Sequence, residues 1–599
     1  MITSVNLSPI PFQSSTDSTR LQMSSKQIQQ ALTNLQCEIP YVVGDEYHYL
    51  TETSSMGINL ARDDGEIVFC NNELMIIHYH KLNKIDVKPI PPIKKVYANF
   101  SSKIRNYVPK ATEVKKHDIL FEYDCFRNGI PSPGYNAYTA YMPWFGYNHE
   151  DGLVISESFA NKTETTLIDK IYVPIYEYTL LQPLYSQKSN YFNFFPGIGE
   201  KITDGIICGR LTPKKVSKTH NPQSNKQNLI NILKSMNLSE LLNMSNSEIN
   251  SNFNVTHERS KLDHDSYVHG VKIHRLQKKP LIDITLQKEL EQIYSYYNNY
   301  LIDVYTELSQ YFNQDFCQNL MLRNFVYMDG DKERDKVDLR DAVYLLEFEI
   351  TQSQKSELGD KFTNLYAGKG VASQILPDEH RPVTKYTNEP IDIIYNTFGV
   401  FSRMNYGQII NGMISKTVRY YDQLIRQNKE NVKDYIQELN DNVISYLNEE
   451  YSQQVQNNII NNLDNDEFRE RFLKNIEENN LFIKAKSFSR LNIRDLVQNL
   501  IPPNEPVIIK KETQQFMRDK LKCNFDYTIT DDIEVKDVFC APIYTMKLYK
   551  LTSKTINARD FGPIESLTGQ PTKGRAKKGG SKLGQMEIND SLLCIVIYI

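Results

Sequence analysis

Eight cysteines are scattered from Cys37 to Cys594, and none stands in a Cys-x-x-Cys pair. Such spacing offers neither a zinc site nor a disulfide framework, so we expect no zinc and a reducing, cytoplasmic, non-secretory setting. Two histidine pairs, His78 with His80 and His264 with His269, have no cysteines beside them and read as surface or packing residues. Long apolar runs are missing too. The one apolar tail, Leu592 to Ile599, falls far short of the roughly 20 residues that span a membrane, and no membrane partner is expected. Met1 to Asp17 has no basic start followed by an apolar run, so no signal peptide is read there. Charge of one sign is also lacking. The net charge is only −4, so any binding of nucleic acid must rest on local patches. No tandem repeat is evident. What is present is bulk: 599 residues at 40% hydrophobic composition exceed the roughly 250–300 residues at which a single core stops growing, so several domains are expected.

Around the only tryptophan the chain reads Met142-Pro143-Trp144-Phe145-Gly146-Tyr147-Asn148-His149-Glu150-Asp151-Gly152-Leu153-Val154-Ile155-Ser156-Glu157. Pro143 and Gly146 mark a bend, and Leu153 to Ile155 read as a short buried strand. Glu150 and Asp151 therefore sit at a strand mouth. Neighbours on extended backbone point to opposite sides, so one acid should face a site squarely, and Asp151 is the better placed. Hard cations such as Mg²⁺ take carboxylate oxygens and keep several waters, which leaves room for substrate phosphates. An isolated Glu-Asp pair is more often a solvated turn; here the surrounding residues favour a site.

Elsewhere, Glu66 to Phe69 and Met75 to Ile77 suggest small strands, and Leu167 to Val173 another. Gln223 to Asn254 and Leu286 to Phe312 have helical apolar spacing, as does the block Ile414 to Asn499 through Tyr420, Leu424, Tyr435, Leu439 and Ile444. Near the end, Lys573, Arg575, Lys577, Lys578 and Lys582 crowd a glycine-rich segment. Glycine lets backbone approach phosphates while the cations displace counterions.

Three further runs follow in order: Gly359-Asp360-Lys361-Phe362 with Lys369-Gly370-Val371 six residues on; Ser402-Arg403-Met404-Asn405-Tyr406-Gly407-Gln408; and Met546-Lys547-Leu548 onward through Ala558-Arg559, Gly562-Pro563, Gln570-Pro571 and Gly584-Gln585-Met586-Glu587. Together with the tryptophan run they resemble the second-largest (β) subunit of multisubunit DNA-dependent RNA polymerases. Arg20, Met23, Ser24, Ser25 and Gln30-Ala31 resemble, more weakly, the start of that subunit's active-site half. The family's upstream tract is not found here, so the chain resembles the C-terminal piece of a split β subunit. Splitting is known in some archaea and in jumbo bacteriophages; the archaeal pieces carry a cysteine zinc site, and the phage type fits this chain better.

The resemblance implies an α+β, multi-domain protein built on a β-rich hybrid-binding module (a double-psi β-barrel) with a flap or wall and helical insertions. The expected divisions are a fork-like segment and small β-rich region at 1–90, the module's first part at 91–165, flap or wall at 166–350, the second part at 351–411, a helical insertion and connector at 412–545, and a switch-like segment at 546–599. It further implies nucleotidyl transfer with two metals. Lys361 and Lys369 would lie near the RNA 3′ end and incoming nucleotide, and Arg20 and Arg403 on the triphosphate, where planar forks suit phosphate. Asp151, with Glu150 beside it, would help hold the second Mg²⁺ directly or through water, while the principal Mg²⁺ site belongs to a largest-subunit partner. Gln29, Gln30, Lys547, Lys550, Arg559 and the basic cluster would meet nucleic acid, the RNA–DNA hybrid above all. Gln29, Lys550 and Thr555 depart from the family, which has a basic residue, His and Lys there. Asp329-Gly330-Asp331 only hints at the partner's aspartate loop and reads as a turn. Expected partners are a β N-terminal half, largest (β′-like) subunit chains, DNA template, RNA and nucleoside triphosphates; a promoter-specificity subunit is compatible. The alternative is a noncatalytic nucleic-acid-binding or assembly scaffold. An RNA-templated polymerase fits less well.

Overall fold

The protein is described from a computed structural model over residues 6–45, 59–70, 74–82, 84–90, 93–97, 100–109, 112–185, 192–202, 205–213, 253–260, 262, 266–310, 313, 339, 341–488, 493–522, 529–574, 579–580 and 584–586. The elements that organise its centre are, in chain order, helix α1 (Ser18–Gln29), strands β1 (Tyr135–Tyr141), β2 (Gly152–Ser156) and β3 (Thr165–Tyr176), helix α2 (Ile284–Ser309), strands β4 (Ala342–Gln354), β5 (Lys361–Asn364), β6 (Gly370–Leu376) and β7 (Ile393–Tyr395), helices α3 (Phe398–Arg403) and α4 (Gly407–Gln427), and strands β8 (Asn504–Ile509) and β9 (Ile533–Lys547).

Six of these strands close on themselves. The order runs β1, β7, β2, β6, β5, β9 and back to β1, with β8 continuing the sheet outward from β9. β1 with β7 and β2 with β6 are parallel, through Thr139 opposite Ile393 and Gly152 opposite Val371, and the other contacts round the ring are antiparallel. Side chains alternate across a strand, so a ring covered on both faces sends apolar residues to both sides. Ala137, Tyr141, Leu153 and Ile155 join one core with Phe159, Phe362 and Ile543. Their neighbours Tyr138, Ala140 and Val154 join a second with Trp144, Val507 and Met517.

The mixed α and β content continues outside the ring. β3 and β4 pair antiparallel from Thr165 opposite Gln354 to Tyr176 opposite Ala342, within a second sheet. Leu286, Leu290 and Ile293 of α2 share one core with its Leu346, Phe348 and Ile350. Helix α2 matches the expected helix but begins two residues earlier, at Ile284. Most of the other expected helix, 223–252, lies outside the described residues, and its last positions, Phe253 and Asn254, open a strand. Leu167 to Val173 falls within β3, and Glu66 to Phe69 and Met75 to Ile77 lie in paired strands Gly65–Cys70 and Leu74–Tyr79.

Helices from Gly407 to Gln498 share one core, interrupted by the strand Ile483–Ala485, which pairs in parallel with Val42–Gly44. The buried stripe of α4 is Ile414, Val418, Tyr421 and Ile425. The expected Tyr420 is 47% exposed, because spacing sets the period of a helix while one degree of phase freedom remains. Among the described residues no helix is long and apolar enough to cross a membrane.

Candidate active site

The tryptophan run is mostly scaffold. Trp144 is buried, and the Asn148 side chain ties the turn together: its Oδ1 accepts from Trp144 N at 2.9 Å, and its Nδ2 donates to Met142 O at 2.7 Å and to Tyr395 O at 3.2 Å on β7. Glu150 and Asp151 emerge from this clamp at the mouth of β2. Both line one concavity, contrary to the alternation expected of extended backbone. The reason is local: Glu150 has φ of 52°, in the left-handed region, so the pair does not follow strand geometry.

The lysine loop reaches the same concavity from β5 and β6. Asn364 Oδ1 accepts from Tyr366 N at 2.9 Å and Gly368 N at 2.8 Å, which shapes the turn that presents Lys369. Val371 N then donates to Asp151 O at 2.8 Å and joins the two motifs. Glycine is needed at 370, because a Cβ there would meet Leu153 Cγ at 2.4 Å and Asp151 O at 2.8 Å. Lys361 opens β5. Partial burial, and then the charges of Lys550 and Lys369, hold its ammonium below the ordinary lysine range, so these three cations share a neighbourhood.

Arg403 ends α3, and Met404 after it has φ of 49°. Asn405 Nδ2 donates to Tyr366 O at 3.0 Å, Gln408 Nε2 to Asn405 Oδ1 at 2.9 Å, and Asn364 Nδ2 to Gln408 Oε1 at 2.7 Å. These buried amides fix the arginine turn against the lysine loop. Arg403 Nη2 then donates to Asp151 Oδ1 across the concavity. Burial, and then the like charge of Arg20, lower the proton affinity of Arg403. Arg20 is brought in by α1, which Asp17 caps at Thr19 N (3.0 Å), and whose Ser24 Oγ donates to Leu365 O at 2.6 Å. Asp17 N also donates to Met404 O at 3.1 Å.

Residues from distant segments thus converge: Glu150, Asp151, Lys369 and Arg403 line the concavity, with Arg20 and Lys361 close enough to be felt electrostatically. Lys547 departs from expectation. Its side chain is fully buried with Nζ 3.4 Å from Asp360 Oδ2, and burial pulls its ammonium down to about 8. It therefore braces the ring and offers no surface to nucleic acid. Met546 and Leu548 flank it in the core as well. Gln29 and Lys550 are exposed, Gln30 is half-buried with its carbonyl accepting from Tyr549 N, Arg559 Nη1 donates to Pro563 O at 3.0 Å, and Lys573 is exposed. Arg575, Lys577, Lys578 and Lys582, the tail Leu592 to Ile599 and Asp329-Gly330-Asp331 lie outside the described residues.

Asp360, Asn364 and Gln408 were not marked by residue type as functional; the left-handed Glu150, Ala367 and Met404 beside the site left no sequence signal, because none is glycine. Glu150 and Asp151 supply carboxylate oxygens suited to a hard cation. They form at most part of a site, since among the described residues no three His, Cys, Asp or Glu side chains gather to hold a metal.

A family model described as RNA polymerase Rpb2, domain 6, matches residues 8–577. Over 98% of its length the chain is similar to curated proteins named DNA-directed RNA polymerase subunit beta, 23% identical to that of Syntrophus aciditrophicus (strain SB), of which it covers 46%, and 25% identical to that of Carsonella ruddii (strain PV), of which it covers 48%. The chain spans about half the length of these relatives.

Proposed function

The chain belongs to the RNA polymerase Rpb2 domain 6 family, and from that premise we propose that it supplies the β-subunit share of the active centre in a multisubunit DNA-directed RNA polymerase. The single observation that carries this reading is the meeting of Asp151 and Arg403, 252 residues apart, in a concavity that Lys369 also lines. We read the closed ring, with its two parallel pairs, as the double-psi hybrid-binding barrel, and the sheet of β3 and β4 as flap or wall.

In this reading the RNA 3′-hydroxyl attacks the α-phosphate of a nucleoside triphosphate in line. The triphosphate brings strong negative charge, and the forked guanidiniums of Arg20 and Arg403 bind and orient it. Lys361, Lys369 and Lys550 neutralise phosphates at the RNA end and on the incoming nucleotide. Asp151, with Glu150 beside it, would hold the nucleotide-associated Mg²⁺, directly or through water. Metal ions in such a centre stabilise charge on the attacking and leaving oxygens. The principal metal would be held by a largest-subunit partner, so the chain acts only in a complex. The other β-type segments come from a second chain, as in a split β subunit, or from further residues of a longer protein. Mass spectrometry of the native complex separates those two arrangements.

Extension of a labelled RNA on a DNA scaffold by the purified complex tests the proposal. Arg403→Ala and Lys369→Ala should slow extension while the complex stays intact. Unchanged extension by both variants would overturn the proposal.

A further inference from the structure

We infer that the helical block carries a binding site for a small neutral molecule, apolar in body and presenting one hydrogen-bond acceptor, in a cavity walled by residues from Ile436 to Ile483. The site is separate from the concavity at the mouth of β2 and independent of the function proposed above.

The cavity measures about 260 Å³, and Ile436, Leu439, Val455, Phe472 and Ile483 are among its walls. All but Phe472 are buried side chains of the core that the block shares with α4. Protein interiors pack as densely as organic crystals and few of their voids exceed one water, so a hollow of this size leaves its lining groups short of contacts. An apolar cavity of about 150 Å³ stays dry and takes up benzene. This one has room for roughly two fused rings. No charged side chain is among the described residues that line it, which disfavours an ion and favours a neutral occupant. The helix Val432–Leu439 also widens directly into a π-helical turn, Asn440–Ile444, whose Ile444 lines the hollow. Such turns are rare and are frequent at functional sites.

Two asparagines in the wall differ in what they have left to offer. Asn475 Oδ1 already accepts from Asn128 Nδ2 at 3.0 Å and from Asn479 Nδ2 at 2.7 Å. Asn480 also lines the cavity, and its Nδ2 is buried without an acceptor among the described residues. A buried donor left unpaired is costly, whereas a carbonyl or hydroxyl oxygen arriving with a ligand removes that cost. A lone water is a poor substitute, since it wants about two to four polar partners and the aliphatic walls supply none. Backbone geometry does not call for the amide either: Asn480 follows the helix Asp466–Glu478 at φ of 53°, its N donating to Ile476 O at 3.1 Å, and glycine serves such a left-handed cap as well. Asn475 is exposed, so the hollow reaches the surface and a ligand has a way in.

Equilibrium dialysis of 1-indanone and of indane against the full chain tests the inference, because the two share a bicyclic skeleton and only the ketone has an acceptor. Wild type should bind 1-indanone saturably. Asn480→Gly keeps the left-handed cap and removes the amide, so 1-indanone affinity should fall about fivefold, the scale of one hydrogen bond, while indane affinity stays within about twofold. Val455→Phe, which fills the hollow, should weaken binding of both by about tenfold or more. Where Val455→Phe fails to fold, Asn480→Gly decides alone. A wild type that does not bind 1-indanone, an Asn480→Gly variant that treats both probes alike, or undiminished binding by folded Val455→Phe overturns the inference. None of these outcomes touches the proposed function.

Discussion

Asn364 and Gln408 are 44 residues apart in sequence and joined side chain to side chain, with Asn364 Nδ2 donating to Gln408 Oε1 at 2.7 Å. Asn364 also shapes the lysine loop through its Oδ1, while Gln408 holds Asn405 beside the arginine turn. Neither side chain has chemistry of its own to offer. Their bond keeps the site's cations in register.

Gln408→Leu should therefore cost about 1–3 kcal/mol of stability, since it strands buried amide groups of Asn364 and Asn405 in a dry place. The denaturation midpoint of the full chain measures this. Extension rate should fall as well, through displaced Lys369 and Arg403, and no loss in either measurement would contradict the register role.

The buried pair Lys547 and Asp360 makes a second prediction. Removing one partner leaves an uncompensated charge and should cost about 3–5 kcal/mol, whereas the double change Asp360→Asn with Lys547→Met should recover most of it. The pH dependence has a defined sign. Burial holds the folded Lys547 near 8 against an ordinary 10.5, so between those values the unfolded chain binds more protons and stability contributed by this group rises with pH. Below the folded value both states are protonated and the slope vanishes. Lys547→Met should remove the rise, read as the difference in unfolding free energy between wild type and variant across that window.

Lys361→Ala and Lys369→Ala should each lower elongation more than assembly, because each removes positive charge from the neighbourhood we propose to face phosphate. Where the lost contact is to single-stranded RNA, the slope of log affinity against log salt should shrink by about 0.7 per contact. Lys550→Ala should do the same if its charge, which Lys361 feels, also reaches phosphate. Salt titration of scaffold binding gives each slope.

Arg403→Lys should weaken triphosphate binding by about tenfold even though charge is kept, since an ammonium cannot reproduce a planar fork. Nucleotide titration of extension rate measures this, and a wild-type response would show that charge alone suffices.

Much of the site could be read in the sequence, because its chemistry is carried by residue type. Asp151, Lys361, Lys369 and Arg403 are charged residues set in glycine-rich or turn-forming runs. Lys547 looked the same by type and proved to be core: a lysine's letter does not tell whether a strand of a closed ring turns it inward. The turn at Glu150 was hidden for a similar reason, since a left-handed φ of 52° at a non-glycine residue is imposed by its surroundings. The helical block from Ile414 was legible as helix, yet its buried stripe fell on Tyr421 and Ile425, because tertiary packing chose the phase. Registry between distant strands, such as Tyr135 with Thr545, has no local signal at all.

The closing seam of the ring carries a consequence for how the protein is made. Gly134 N donates to Tyr544 Oη at 2.7 Å across a separation of 410 residues, and β9 zips to β1 along seven registered positions from Tyr135 to Tyr141. During synthesis β1 must wait for that partner, with an open strand edge, until the ribosome has delivered the chain through Lys547. The helices sharing their own core from Gly407 onward are complete well before then. Non-local closure of this kind is slow, and exposed edges invite mispairing in the interval. Translation speed through the stretch that precedes β9, and chaperone occupancy of the nascent chain, should therefore govern the yield of native protein more than the stability of the finished fold does.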